Sequence, residues 1–204
     1  ESLAVLIEGL THKRLNHQGK YFQYHDVPME MQPLQQPYPP LWYPTRALDS
    51  IKQAGQQGYN CVTIGSVDQV RQNVETYWDT WHAHHPNQER LSVRVSEPKV
   101  GIMRQVFVAD TDEEALETAQ AAHSNWFRSI TKLWHANGDH APDGHFEWEA
   151  SVRDQSVIIG SPGKVKEHVG QLLEETGCNY LVCAFAWGTL TYEQSLNSMG
   201  MFVK

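Results

Sequence analysis

Apolar residues along this chain fall into two rhythms, short unbroken runs and stripes at three- and four-residue steps. Stripes predict helices and runs predict buried strands. Leu3, Leu6, Ile7 and Leu10 place a helix at the start, so the chain is expected to begin inside a helix, as a fragment or processed product would. The proline-crowded "QPLQQPYPP" then holds an extended path into a strand end at Leu41 to Tyr43. Residues 49–57 form a short predicted helix closed by Gly58. "NCVTIG" is a strand, and Val67, Val70, Val74, Tyr77, Trp78 and Trp81 mark one face of a helix that ends near Pro86.

The same alternation continues to the end. "GIMRQVFVAD" is a strand, Thr111 and Glu114 make a capping-box signature, and Leu116, Ala119, Ala122, Trp126, Ile130 and Leu133 stripe a long helix before Gly138. Residues 139–156 are polar and aperiodic and are expected to form an irregular surface excursion. Ser161 as N-cap and Pro162 at the first helical position open a helix after the strand-like "VIIG", and Gly177 closes it. "NYLVCAFAWG" is a further strand, and Tyr192, Leu196, Met199 and Phe202 line a final helix.

Strands alternating with helices, several of them apolar throughout, imply a single α/β domain with a parallel sheet covered by helices. Neither G-x-G-x-x-G nor G-x-x-x-x-G-K occurs, which argues against the doubly wound nucleotide folds. A TIM-type (β/α)8 barrel needs eight strands and roughly 250 residues. With about four convincing strands, residues 1–204 are expected to supply the second half of such a barrel.

Charge and cysteines narrow the partners. The net charge of -8 and the scattered basic residues give no footprint for nucleic acid. No apolar run approaches the ~18 to 20 residues of a membrane span, so no membrane partner is expected. Cys61, Cys178 and Cys183 are odd in number and lack CxxC spacing, which suits reduced thiols in the cytoplasm.

The ordered series "G-KYF", "MQPLQQPYPPLWY", "S-IKQAGQQGYN", "VFVADTDEEAL", "IIGSPGKVKEHV" and "CNYLVCAF" resembles the carboxyl-terminal half of luciferase-like flavin-dependent monooxygenases. The resemblance spans nearly the whole chain. It implies a TIM-type barrel with reduced FMN bound at the carboxyl ends of its strands, or a deazaflavin in the nearest relatives. It also implies oxygenation of a small organic substrate, a separate flavin reductase as electron source, and a first barrel half lying upstream of Glu1. Two open sheet edges would then favour a homodimer or association with that missing half.

Within the resemblance, the flavin phosphate is held at the strand-to-helix turn after "LWY". Matched onto this sequence, Thr45 and Ser50 supply hydroxyl groups and Arg46 an added cation. A helix start also offers free N–H groups to an anion. Pro44 and Arg46 depart from the small residues usual in that turn, and a Thr or Ser before a helix is also the ordinary N-cap.

Histidines raise a rival reading, a metal-dependent barrel hydrolase. His82, His84 and His85 cluster in "WHAHHP", and His135, His140 and His145 accompany Asp139 and Asp143. Their spacing shows no closed ligand set, so no metal is expected. Trp78 with Trp81 and Trp126 with Trp134 have core spacing, Ser161 is read as a cap, and Cys61 as a small buried residue. No nucleophile–base pair or carboxylate pair stands out, as suits an enzyme whose cofactor does the chemistry. A catalytically silent flavin binder is the remaining alternative. Catalytic residues and substrate are not legible.

Overall fold

The computed structural model describes residues 1–84 and 97–204. The chain opens with α1 (Ser2–Thr11) and an antiparallel hairpin of β1 (Arg14–Gln18) and β2 (Gln23–Pro28). The repeating alternation follows: β3 (Trp42–Pro44), α2 (Leu48–Gln57), β4 (Asn60–Thr63), α3 (Val67–His84), β5 (Val100–Val108) and α4 (Asp112–Ala136). Two short helices, α5 (Asp143–Phe146) and α6 (Trp148–Arg153), precede β6 (Val157–Gly160), α7 (Pro162–Thr176), β7 (Tyr180–Ala184) and α8 (Tyr192–Phe202).

Strands β3 to β7 form one five-stranded sheet in which every pairing is parallel. β5 organises it. Its Val100–Ile102 stretch pairs with β4, Gly101–Gln105 with β7, and Gln105–Val108 with β6. Two asparagines fix its entry: Asn60 Oδ1 accepts the Lys99 N–H at 2.9 Å, and Asn179 Oδ1 accepts the Val100 N–H at 2.7 Å. Each lies two residues beyond a helix-ending glycine, Gly58 or Gly177, in the left-handed region.

Among the described residues the sheet is not closed: β3 pairs only with β4, and β7 only with β5. The larger core lies between the sheet and α2, α3 and α7, around Ile51, Val70, Tyr77, Ile102, Val106, Ile158 and Leu172. A smaller one joins Phe107 and Ala109 to Ala115, Ala119 and Ala122 of α4, and to Trp187.

Several expectations need correction. The parallel sheet has five strands, not about four. The β1–β2 hairpin was not foreseen, because every residue of β2 is exposed and carries no burial rhythm. It is held by polar contacts, including the Arg14–Asp26 ion pair and the Tyr21 and Phe22 N–H groups donating to the Glu1 carboxylate. Residues 139–156 are not irregular throughout, since both α5 and α6 fall there. The end of α3 near Pro86 lies outside the described residues.

Helix faces also differ. In α4 the buried positions are Ala115, Ala119, Ala122, His123 and Thr131, while Leu116, Ile130 and Leu133 are exposed. In α8, Ser195 and Ser198 are buried, and Tyr192, Leu196 and Met199 are exposed. Close approach explains both. Alanines let α4 lie low over the sheet, and the Ser198 hydroxyl accepts the Val108 N–H at 2.8 Å, satisfying a buried donor that an apolar side chain would have stranded.

One glycine sets the spacing after β7. Gly188 has φ 59, and a Cβ there would stand 1.9 Å from the Ala122 carbonyl oxygen. Only a residue without a side chain lets this loop cross α4 so closely.

Candidate functional site

The carboxyl ends of β3, β4 and β7 open into one pocket of about 860 Å³. Arg46 and Ala47 follow β3, Ile64 to Ser66 follow β4, and Ala184, Ala186 and Trp187 come from β7 and the loop beyond it. Met103, Arg104 and Gln105 of β5 contribute the floor, and the far wall holds Trp126 of α4, Gly144 to Phe146 of α5, and Ser151, Arg153 and Asp154.

Arg104 dominates its chemistry. It is the only charged residue inside the apolar β5 run and is 1% exposed. Its Nη2 donates to the Gly65 carbonyl and its Nη1 to the Met103 carbonyl, both at 3.0 Å, while its Nε has no acceptor. Burial pushes its pKa down to about 10, so the guanidinium remains a cation at neutral pH. Trp187 Nε1, in the same lining, is a second buried donor without an acceptor among the described residues. Arg153 is paired with Asp154 at 2.9 Å. Arg46 and Arg104 have no carboxylate within ion-pair distance among the described residues. The pocket thus carries uncompensated positive charge and unused N–H donors, the complement of an anionic, acceptor-rich ligand.

The turn after β3 meets the pocket through one of its three named residues. Arg46 faces the pocket; Thr45 and Ser50 are not among the lining residues. The N-cap of α2 is Ala47, with no side-chain cap, so the first-turn N–H groups are left free of a side-chain acceptor. Thr45 Oγ1 instead accepts the Ala47 N–H at 3.2 Å, and Ser50 is the third residue of α2, in its first turn and half-buried. Asp49, also in this first turn, points its charge at solvent beside Lys52.

Ser161 is the N-cap of α7 but makes no side-chain cap bond; its N–H donates to Asp112 Oδ1 at 2.7 Å, tying the starts of α4 and α7 together. Trp126 packs against the smaller core as expected and also forms pocket wall, Trp81 is buried in the main core with Trp78 packed against it, and Trp134 is 39% exposed. Cys61 is buried and its thiol is pushed up to about 12 by burial, which removes it as a thiolate nucleophile. Arg104 and Trp187 were missed. The sequence signal was present for the first, a lone charge within a strand otherwise suited to burial on both faces.

The histidines divide into two groups. His82 is exposed and stacks on Trp78, and His85 lies outside the described residues. His135, His140 and Asp143, however, converge, although their spacing suggested no closed set.

His123 supports the pocket wall from behind. It is buried against Trp126, Trp148 and Trp187, and its Nε2 meets Ser151 Oγ at 3.1 Å. Burial holds its pKa below the usual 6.5. The folded state therefore takes up its proton at lower pH than the unfolded chain. Its contribution to stability is full above 6.5 and is lost as pH falls from there toward the folded value. Urea midpoints should decline between pH 7.5 and 5.5, and His123→Gln should flatten that slope. An unchanged slope in the variant would assign the decline to other groups.

Comparison with known proteins follows this geometry. The family pattern described as "Luciferase-like monooxygenase" matches residues 1–180. The Sinorhizobium fredii protein y4wF is 26% identical over 199 residues, covering 96% of this chain and 56% of its own length. The oxygenase component of a flavin-dependent trigonelline monooxygenase from Acinetobacter baylyi is 28% identical over 121 residues, 59% of this chain and 32% of that protein. Among solved structures, monooxygenase RslO1 from Streptomyces bottropensis superposes with a TM-score of 0.77 at 16% identity, covering 98% of this chain and 57% of the other. The oxygenating constituent of 3,6-diketocamphane monooxygenase from Pseudomonas putida, in complex with FMN, gives 0.69 at 20% identity, covering 100% and 60%. The coenzyme F420 dependent tetrahydromethanopterin reductase from Methanopyrus kandleri gives 0.60 at 13%, covering 87% and 53%. The chain spans about half the length of the curated relatives it matches. No described helix is long and apolar enough to cross a membrane. With a match from residue 1 to residue 180, the chain belongs to the luciferase-like monooxygenase family.

Proposed function

We propose that this chain forms part of a flavin-dependent monooxygenase that uses reduced FMN and molecular oxygen on a small organic substrate. One observation carries the reading: among the described residues, the pocket at the strand ends joins two arginines with no carboxylate within ion-pair distance to two buried N–H groups without acceptors. FMN, with a phosphate and ring carbonyls, fits that donor set. When bound, the reduced flavin supplies electrons and the reactivity toward oxygen.

The chain's own residues bind, orient and shield. Arg46 and the uncapped first turn of α2 receive the phosphate, with the Thr45 and Ser50 hydroxyls added by small rotations of the turn. Arg104 and Trp187 donate to ring acceptors, and Trp126 and Phe146 keep water from the wall. A separate reductase delivers the reduced flavin, a reading supported by the relative described as an oxygenase component. A deazaflavin is the competing cofactor, supported by the likeness to the F420 dependent reductase fold. The three free cysteines favour a reducing compartment, the cytoplasm.

The open edges of β3 and β7 support a further part of this reading, that the chain supplies the second half of a barrel and associates with the first half or with a copy of itself. Light scattering of the chain alone reads this directly. A monomer would remove it.

Flavin titration tests the phosphate turn. Replacing Thr45 and Ser50 together by Ala should weaken reduced-FMN binding by a few kcal/mol at most, since each hydrogen bond to a charged group contributes roughly 1.5–3. Unchanged affinity would dismiss the assignment. Oxygen uptake dependent on reduced FMN then separates an enzyme from a silent binder, and tighter binding of reduced F420 would favour the deazaflavin.

A further inference from the structure

Beside the pocket, three potential metal ligands meet without a role in the flavin reading. His135 comes from the last turn of α4, His140 from the connection, and Asp143 from the first position of α5. Asp143 Oδ1 lies 2.6 Å from His135 Nε2, and its Oδ2 lies 3.1 Å from His140 Nδ1. The two imidazole rings stack 4.4 Å apart at 29°. All three ligand atoms fall within 4.8 Å of one another.

The backbone builds this arrangement. Gly138, at φ 72, turns the chain past α4, and the Asp139 N–H returns to the Trp134 carbonyl at 2.9 Å. The Asp139 carboxylate accepts the Ala141 N–H at 2.9 Å, which sends the chain back toward α4 so that Asp143 arrives between the two histidines. Convergence here comes from three separate pieces of backbone, which is why spacing alone did not show it.

The donor set is two imidazole nitrogens and one carboxylate oxygen. Such a set suits a borderline divalent cation, above all zinc, and not magnesium or calcium, which take oxygen. Ligand bonds of about 2.0–2.2 Å around a tetrahedral ion put donor atoms roughly 3.3–3.5 Å apart. The His140 contact at 3.1 Å is already close to that spacing, and the His135 contact at 2.6 Å must open by about 0.7–0.9 Å to admit one. The His140 side chain is 66% exposed and leaves an entry path and a position for water.

We propose that His135, His140 and Asp143 bind one borderline divalent cation of the zinc class, which clamps α5 to the end of α4. The clamp acts on the pocket through the adjoining residues. Gly144, His145 and Phe146 follow Asp143 directly and form pocket wall. Phe146 stacks on Trp134 at 6.2 Å and meets Trp126 edge-on at 5.7 Å. None of the three ligands lines the pocket, so the ion sets the position of the wall and takes no part in the chemistry.

Untagged chain, dialysed against a chelator and titrated with zinc chloride by calorimetry, tests this. One equivalent is expected, with magnesium at millimolar concentration failing to compete. His135→Ala and His140→Ala should each weaken binding at least tenfold, and a variant with His82, His84 and His85 replaced by Ala should bind as the parent does. His140 is exposed, so its variant keeps the test valid if His135→Ala does not fold. Absence of a stoichiometric site, binding unaffected by His140→Ala, or binding lost with the 82/84/85 variant would each overturn the proposal. Flavin affinity is not the readout, so failure here leaves the flavin reading standing.

Discussion

Gly188→Ala should lower stability by about 3–5 kcal/mol, the sum of a left-handed alanine and an overpacked contact. The added Cβ would lie 1.9 Å from the Ala122 carbonyl oxygen and 2.6 Å from its carbon, and both are backbone atoms that no rotamer change can move. Either α4 must lift from the loop after β7 or that loop must retreat, and both motions open the small core around Ala119 and Trp187. With domains of this size stable by only about 5–15 kcal/mol, the loss would be severe. Gly138→Ala is the internal control. Gly138 has φ 72 but nothing within 4 Å of the new Cβ, so it reports the conformational cost alone. Urea midpoints of the two variants separate the terms; equal losses would show that the crossing over Ala122 is looser than described.

Arg104→Met should weaken reduced-FMN binding about tenfold to a hundredfold, the equivalent of one charge-assisted hydrogen bond of roughly 1.5–3 kcal/mol. Stability should move far less. A buried cation without a carboxylate partner carries a desolvation penalty, and an apolar side chain of similar volume removes it. The same change strands the Gly65 carbonyl that now accepts from Nη2, so the two effects oppose each other. The split is diagnostic. An arginine that only braces the Gly65 turn would lose stability and keep affinity, whereas one that serves the ligand loses affinity first. Unchanged flavin binding in a folded Arg104→Met variant would take this residue out of the ligand's path.

The fold was largely legible because β4, β5 and β6 are buried almost throughout, and an unbroken apolar run survives any register. Helix existence was legible for the same reason that caps were: Thr111 accepts the Glu114 N–H at 3.2 Å as its spacing implied. Which face each helix buries was not. Leu116 and Leu133 outweigh Ala115 and Ala119 in apolar content, yet closeness of packing, set by the sheet beneath, selects the smaller residues. The same limit hid the site. Arg104 and Trp187 become functional candidates only because Gly65 and the strand ends surround them, and the sequence records neither the pocket nor the missing acceptors. His135 and Asp143 needed the turn at Gly138 before they could meet. The β1–β2 hairpin stayed invisible because polar contacts to Glu1 and Arg14, not burial, hold it.

The pairing of β5 with three strands also has a consequence in time. Its nearest partner, β4, precedes it, but β6 and β7 lie downstream, with Gln105 opposite Val157 and Ala184. On a ribosome adding about 5–20 residues per second, the roughly 80 residues that separate Gln105 from Ala184 take about 4–16 s to appear. Throughout that interval the longest of the described strands, nine residues of β5, has backbone groups waiting for partners not yet made. Nascent chains halted before residue 157 should therefore be the species most dependent on chaperones, and release from that dependence should come only once β7 has cleared the exit tunnel.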